Sequence, residues 1–218
     1  MSSMRRRSEI VFLYACSTFV ALLLSAIIVE AVGANWADVW NALLDGSLRK
    51  PGRWGKTLGS AVPMAMVAVG TIISTKVGLI NIGQEGQMLV GAAFAAYVGA
   101  HAPGSGPIVI CLVILGGFVG GAFWSGLAGA LRYWRNVPEV LTTLLLVTVA
   151  ANLVGYGLKN TWLLLDPDAA FGNRALVGRQ LDPDSRLPRI EIFGNNFSLS
   201  VVLALLLIVL TTWVLSQT

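Results

Sequence analysis

Stretches of about twenty apolar residues recur along the whole chain, and they restrict its fold more than any other feature. A helix needs about 20 such residues to cross the hydrocarbon core of a bilayer. Hydrophobic residues make up 56% of the 218-residue chain and charged residues 12%, whereas a soluble domain carries about 25% charged residues. The sequence therefore predicts an all-α, polytopic membrane protein and excludes a water-soluble domain.

Six stretches are predicted to span the bilayer as helices. They cover residues 10–28, 57–75, 79–101, 107–131, 137–158 and 197–214. The first stretch has a signal peptide as its alternative, because Val32-Gly33-Ala34 resembles a cleavage site, but the stretch is longer than the usual apolar region of such a peptide. We therefore expect an uncleaved span and a single transmembrane domain over residues 1–218.

A short amphipathic helix is predicted between the first two spans, over residues 35–46. Trp36 and Trp40 fall on its apolar face, whereas Asp38 and Asn41 fall on the opposite face. Asn35 is a residue type that caps helix starts. Tryptophans on an apolar face suit a helix that lies in the plane of the interface, in contact with the lipid bilayer.

The distribution of cations predicts the orientation of the spans. Arg5, Arg6 and Arg7 place the N-terminus in the cytoplasm, because short cytoplasmic segments are enriched in Lys and Arg. Six spans then return the C-terminus to the cytoplasm and leave the polar segment 159–195 as an external loop. The four cations between Arg49 and Lys56 fall outside in this count, against the trend.

The titratable residues offer little material for an enzyme. His101 is the only histidine, and Cys16 and Cys111 lie inside apolar stretches without a neighbouring metal ligand. The net charge of +4 comes from cations at span ends and in the polar loop, which gives no nucleic-acid footprint. We expect no catalytic residue, no metal site, no cofactor and no nucleic-acid partner.

The segment "NIGQEGQ" at the start of the third span holds the sharpest functional candidates. They are four polar residues, Asn81, Gln84, Glu85 and Gln87, and two glycines, Gly83 and Gly86. One interpretation is a capping box at a helix starting near Ile82, with Asn81 as N-cap, Gln84 as its partner and Glu85 near the positive helix end. The other is a chain break that lines a water-filled path, because an acid at the bilayer centre costs about 2.5 to 3.5 kcal/mol unless it meets water or a partner.

Two further spans carry small or polar residues. In the fourth, Gly116, Gly117, Gly120 and Gly121 form overlapping G-x-x-x-G pairs that predict close helix packing, and Gly126 and Gly129 extend this face. In the fifth, Glu139 is typical of a helix start. Thr142 is able to bond to its own helix, whereas Asn152 is expected to find a partner on a neighbouring helix or in a cavity.

Two of these segments resemble a known family. "VPMAMVAVGTIISTKVGLINIGQEGQMLVGA" and "VPEVLTTLLLVTVAANLV" are similar to the signature regions of permease subunits of bacterial ATP-binding-cassette importers, in the branch that handles nucleosides and simple sugars. The loop around "LDPDSRLPRI" is also similar to an external segment of the family. Pro138 and Val147 stand where the family has asparagines, which weakens any transfer of substrate contacts to the fifth span.

The resemblance covers residues 55–218 and implies an ATP-driven importer in the inner membrane. The chain contains no G-x-x-x-x-G-K-[ST] loop, so the resemblance implies a separate cytoplasmic ATP-binding subunit, together with a second permease subunit and an extracytoplasmic substrate-binding protein. It also implies that the permease domain is incomplete at its C-terminus. The expected path residues are Asn81, Gln84, Glu85, Gln87, Glu139, Thr142 and Asn152.

Two rival functions remain open at this point. An ion-coupled secondary transporter or channel would use Glu85 to bind a proton or a coupling ion. A membrane scaffold without transport activity would instead pack all these polar groups against protein.

Overall fold

The computed structural model describes residues 2–104, 106–167, 178–192 and 194–217. Seven α-helices lie in these ranges: α1 (Ser2–Ala31), α2 (Trp36–Leu44), α3 (Arg53–Lys76), α4 (Gln84–His101), α5 (Pro107–Arg135), α6 (Glu139–Gly157) and α7 (Leu199–Gln217). A π-helical turn, Asp45–Arg49, follows α2, and a 3-10 turn covers Pro183–Ser185. The helices confirm the all-α, polytopic fold class.

Five of the described helices are long and apolar enough to cross a membrane: Glu9–Ala31, Arg53–Lys76, Pro107–Arg135, Glu139–Gly157 and Leu199–Gln217. The predicted third span, residues 79–101, is absent from this set. Its helix α4 starts only at Gln84, so the preceding apolar residues lie outside it while its first turn holds two glutamines and Glu85. At 1.5 Å per residue, its 18 residues still extend about 27 Å, close to the hydrocarbon thickness.

The predicted external loop and the residues directly after it contain the only β-strands that the described residues form. Strands β1 (Arg189–Ile192) and β2 (Asn195–Ser198) form a two-stranded sheet, and α7 therefore begins at Leu199, two residues later than predicted. Leu165 and Gly178 form an isolated antiparallel bridge. Residues 168–177 and 193 of the predicted loop lie outside the described residues.

The chain divides into two compact units. The first contains the described residues of Met1–Thr57 and Phe193–Asn195. In it, the apolar residues of α2, including Trp36 and Trp40, line a groove with α1 side chains such as Phe19 and Leu23. The predicted cap of α2 is confirmed, because Asn35 Oδ1 accepts a hydrogen bond from the Ala37 amide at 2.9 Å.

The second unit contains the described residues of Leu58–Ile192 and Asn196–Thr218. Its core joins α4, α5 and α6, where Val90, Trp124 and Ala150 are buried together. Leu127 and Leu146 pack against this cluster. Helix α4 thus contacts two neighbours, antiparallel to α5 and parallel to α6, and this packing sets the position of its polar first turn.

The topology predicts that Asn136 and Asp184 lie on opposite sides of the membrane. Helix α6 is long enough to span and separates the two positions, and the cations Arg132 and Arg135 predict that Asn136 lies on the cytoplasmic side. Single cysteines at these positions, on a background without Cys16 and Cys111, test this with an impermeant thiol reagent in intact cells. We expect labelling at position 184 alone, and labelling at 136 from outside would contradict the orientation.

Candidate functional site

The polar segment begins α4 in a different way from the predicted capping box. The N-cap is Gly83, with φ −92° and ψ 10°, and no side chain caps this helix start. Asn81 lies two residues earlier, where its Oδ1 accepts a hydrogen bond from the Gly83 amide at 2.8 Å. The capping interpretation of Asn81 and Gln84 is therefore wrong, because the helix starts two residues later than it requires.

Gln84 and Gln87 make contacts outside the first turn. Gln84 Nε2 donates to Thr71 Oγ1 of α3 at 3.1 Å. Gln87 Oε1 accepts a long hydrogen bond of 3.4 Å from Asn81 Nδ2. The first contact joins α4 to α3, and the second joins α4 to residues 77–83, here called the α3–α4 connector.

Gly83 and Gly86 lie against the backbone of α6. A Cβ atom on Gly83 would lie 2.9 Å from the Thr143 Cβ and 3.0 Å from its carbonyl oxygen. A Cβ on Gly86 would lie 3.0 Å from the Val147 Cα. Both glycines are buried, so the close approach of the connector and of the first turn of α4 to α6 requires residues without a side chain.

The start of α4 is recessed relative to the adjacent ends of α3 and α6. Thr143, which contacts the connector, lies four residues inside α6, or about 6 Å from its first residue, Glu139. Thr71, which contacts Gln84, lies five residues before Lys76 at the end of α3, or about 7.5 Å. Ile82 and Gly83 at the end of the connector therefore sit about one helical turn inside the start of α6.

Glu85 faces away from the packed side of α4. With about 100° of rotation per residue, it lies about 100° from Gly86, which contacts α6, and about 120° in the other direction from Gly91, which contacts α5. Its side chain is exposed, and it makes no hydrogen bond or ion pair with any described residue. An unpartnered carboxylate thus stands beside the recessed connector.

The four glycines predicted to pack on α5 all face α4. A Cβ on Gly120 would lie 2.7 Å from Phe94 Cβ, one on Gly116 would lie 2.9 Å from Val98 Cγ2, and those on Gly117 and Gly121 would make ordinary contacts. On α4, Gly91 approaches the Gly117 carbonyl oxygen in the same way. Gly126 and Gly129 do not extend this contact as expected, because a Cβ on either meets no atom within 4 Å.

The candidates on α6 do not join the connector. Glu139, whose side chain is 13% exposed, forms an ion pair with Arg132 at the end of α5. Thr142 Oγ1 donates to the Pro138 carbonyl of its own helix at 3.1 Å. The expectation for Asn152 was wrong, because its Nδ2 donates to the Thr148 carbonyl one turn earlier on α6, at 2.8 Å.

Thr143 and Thr71, which were not among the predicted path residues, make the contacts to the polar segment. Thr143 is 2% exposed and its Oγ1 accepts from the Ile82 amide at 3.4 Å. A signal for Thr143 was present in the sequence: it precedes Leu146 and Ala150, both in the core, at helical spacings of three and seven. No comparable pattern singles out Thr71.

A second feature of this unit is an apolar cavity of about 420 Å³. Phe94, Tyr97 and Phe123 line it, together with Trp124 and the leucines that follow α6. Apolar walls do not complement the hydroxyl and amide groups of a polar solute, so the cavity is separate in chemistry from the connector. Within the described ranges, no group of three His, Cys, Asp or Glu residues is placed to hold a metal ion.

Comparison with known proteins gives a family match over most of the chain. The family model described as the permease component of the branched-chain amino acid transport system matches residues 55–218. Residues 1–54, which include α1 and α2, lie outside the match. No solved structure matches the chain.

Three curated relatives are similar to part of the chain. A glucose ABC transporter permease protein of Haloferax volcanii is 30% identical over 66% of this chain and 38% of its own length. A guanosine ABC transporter permease protein of Bacillus subtilis is 28% identical over 65% and 40%. A nucleoside ABC transporter permease protein of Lactococcus lactis is 34% identical over 57% and 34%. The chain thus spans two fifths or less of the length of these relatives.

Proposed function

Because the chain belongs to the family of branched-chain amino acid transport system permease components, we propose that it forms part of the membrane path of an ATP-driven importer. It is a multi-pass membrane protein with several helices of spanning length. In a bacterial cell this places it in the inner membrane. The match begins at residue 55, so the path is assigned to α3 through α7 rather than to α1 and α2.

The observation that carries this proposal is the recessed polar connector beside an unpartnered carboxylate. Glu85 has no partner among the described residues, although Gly86 and Gly91 of the same helix lie against the backbones of α6 and α5. Irregular backbone at membrane depth is tolerated where protein surrounds it or where it lines a water-filled cavity. The recess and the exposed Glu85 support such a cavity next to Asn81, Gln84 and Gln87.

The proposed substrate class is a small, polar, hydroxylated solute such as a simple sugar or a nucleoside. Carboxylate and amide side chains accept and donate the hydrogen bonds that hydroxyl groups make. The curated relatives named above are described as glucose, guanosine and nucleoside permeases, which agrees with this chemistry. Glu139, Thr142 and Asn152 have secondary roles in the proposal, because each already has a partner on α5 or α6.

The proposal requires partner proteins. A cytoplasmic ATP-binding subunit would supply ATP hydrolysis, a second permease subunit would complete the path, and an extracytoplasmic binding protein would deliver the solute. This chain contributes the membrane part and no enzymatic step. The ion-coupled alternative has less support, because the three relatives named above are all described as ABC transporter permeases.

Vesicle uptake tests the proposed function. Vesicles that contain the full transporter with this permease are expected to accumulate labelled glucose or guanosine only when ATP and the ATP-binding subunit are present. Dissipating the proton and sodium gradients with ionophores should leave the initial rate within about twofold, about 0.4 kcal/mol. Uptake that persists without ATP and stops with the ionophores would instead support the ion-coupled alternative.

A further inference from the structure

We propose that Thr143 is a positioning residue that fixes the α3–α4 connector against α6, a role that rests on the proposed function and was not predicted from the sequence. Its hydroxyl links two backbone groups: it accepts from the Ile82 amide at 3.4 Å and donates to the Val140 carbonyl at 3.3 Å. The same residue thus connects a non-helical segment to the first turn of a helix.

The need for this contact follows from the backbone of the connector. Ile82 precedes the first residue of α4, so its amide has no helical partner. Inside a membrane protein an unsatisfied amide is costly, because lipid supplies no hydrogen bonds. Thr143 is 2% exposed and supplies the acceptor from a buried position on α6. Its hydroxyl therefore satisfies a backbone group that secondary structure leaves open.

The remaining atoms of Thr143 set how closely the connector approaches. Gly83 lies so near that an added Cβ would be 2.9 Å from the Thr143 Cβ. The hydroxyl therefore holds the connector while the Cβ and the carbonyl oxygen limit its approach. Gln84 and Glu85 follow directly, so the depth of both side chains depends on this contact.

The adjacent Thr142 provides a matched control. It lies on the same helix, is also buried at 5% exposed, and donates to the Pro138 carbonyl of that helix. No described connector residue bonds to its hydroxyl. Replacing either threonine with valine removes a hydroxyl and keeps the β-branched shape, so only the loss at position 143 should affect the connector.

Hydrogen exchange of the full transporter in lipid nanodiscs tests the contact. Thr143→Val is expected to speed exchange of the Ile82 amide about threefold to tenfold, equivalent to about 0.7 to 1.4 kcal/mol. Thr143→Ser keeps the acceptor. In this variant and in Thr142→Val, the exchange rate of the Ile82 amide should equal that of the unaltered protein. An unchanged rate in Thr143→Val, or equal acceleration by the serine variant, would overturn the proposal.

Protection of the Val90 amide in the core of α4, measured in the same samples, reports on the fold. If Thr143→Val also reduces the protection of the Val90 amide, the measurement is repeated with Thr143→Ala. Alanine also removes the hydroxyl but adds no methyl group beside Ile82. The same acceleration at Ile82, with Val90 unaffected, is then the expected result. Acceleration at both amides in the alanine variant would mean that Thr143 supports the whole helix, which contradicts a local positioning role.

Uptake separates this inference from the proposed function. Thr143→Val should lower uptake per assembled complex about threefold to tenfold, and Thr143→Ser should restore it. Faster exchange with unchanged uptake would overturn the positioning role while ATP-dependent transport by the unaltered protein stands. Loss of ATP dependence in the unaltered protein would overturn the proposed function, whereas the exchange rates would still decide whether Thr143 holds the connector.

Discussion

Replacing Glu85 with glutamine is expected to lower ATP-driven uptake per assembled complex about tenfold, about 1.4 kcal/mol, and to leave the amount of complex nearly unchanged. The carboxylate is exposed and has no partner among the described residues, so its replacement breaks no hydrogen bond or ion pair within them. A group that lines the path instead acts on the solute or on gating. Uptake is measured in vesicles and divided by the quantity of assembled transporter.

The contrary hypothesis assigns Glu85 to the stability of the helix start. It lies in the first turn of α4, near the positive end of the helix dipole. Losing a favourable charge there costs about 0.3 to 1 kcal/mol. This hypothesis predicts less assembled complex and unchanged uptake per complex. An unchanged ratio in Glu85→Gln would remove Glu85 from the path.

Glu139 provides a matched control for this substitution. It too is an acid in the first turn of a helix, but it forms an ion pair with Arg132, whose side chain is 49% exposed. Because that partner is half exposed, losing the pair should cost about 0.2 to 1 kcal/mol. Glu139→Gln should therefore lower the amount of assembled complex modestly and leave uptake per complex close to normal. If Glu139→Gln lowered uptake per complex and Glu85→Gln lowered only the amount of complex, Glu139 would be the path residue and Glu85 the structural one.

The spans were largely predictable because their length and apolar composition decide them. The five spanning helices fall within the predicted stretches or extend them by a few residues. The resemblance to importer permeases is likewise confirmed, by a family match over residues 55–218. The cap of α2 was predictable too, because Asn35 acts on an amide two residues away. These features depend on local sequence alone.

The start of α4 was not predictable in the same way. Asn81 is a better N-cap by residue type than Gly83, and local preference placed the helix start accordingly. The structure instead starts the helix at a position where the backbone touches Thr143, and only glycine permits that approach. The decisive contact comes from a residue 60 positions away in sequence. A pattern within one segment holds no information about such a neighbour.

The glycine pairs on α5 also show that a local sequence pattern predicts a packing face but not how far its contact with the neighbouring helix extends. The G-x-x-x-G spacing identified a packing face, and the four glycines from Gly116 to Gly121 do face α4. The spacing did not reveal where the contact ends, so Gly126 and Gly129 were grouped with them. The contact stops near Gln87, whose carbonyl oxygen lies opposite Gly121, because α4 begins only three residues earlier.

Replacing Gly91 with alanine is expected to destabilise the protein by about 1 to 3 kcal/mol, the usual cost of overpacking. The added Cβ would lie 2.9 Å from the Gly117 carbonyl oxygen, and the Gly121 amide nitrogen lies 3.5 Å away on the next turn. These are backbone atoms, so no side chain is able to rotate and relieve the clash. Helices α4 and α5 would have to separate, which also weakens the contact between Gly120 and Phe94.

Gly126 offers the control, because it is a helical glycine of the neighbouring α5 at which an added Cβ meets no atom within 4 Å. Gly126→Ala should be neutral or stabilise the protein by up to about 1 kcal/mol, since alanine favours the helical backbone. Thermal unfolding of the purified transporter in detergent, with both variants beside the unaltered protein, gives the comparison. A lower midpoint for Gly91→Ala alone is the expected result. Equal midpoints for the two variants would show that the α4–α5 contact tolerates a methyl group. The position of the polar first turn of α4 would then not depend on close packing at Gly91.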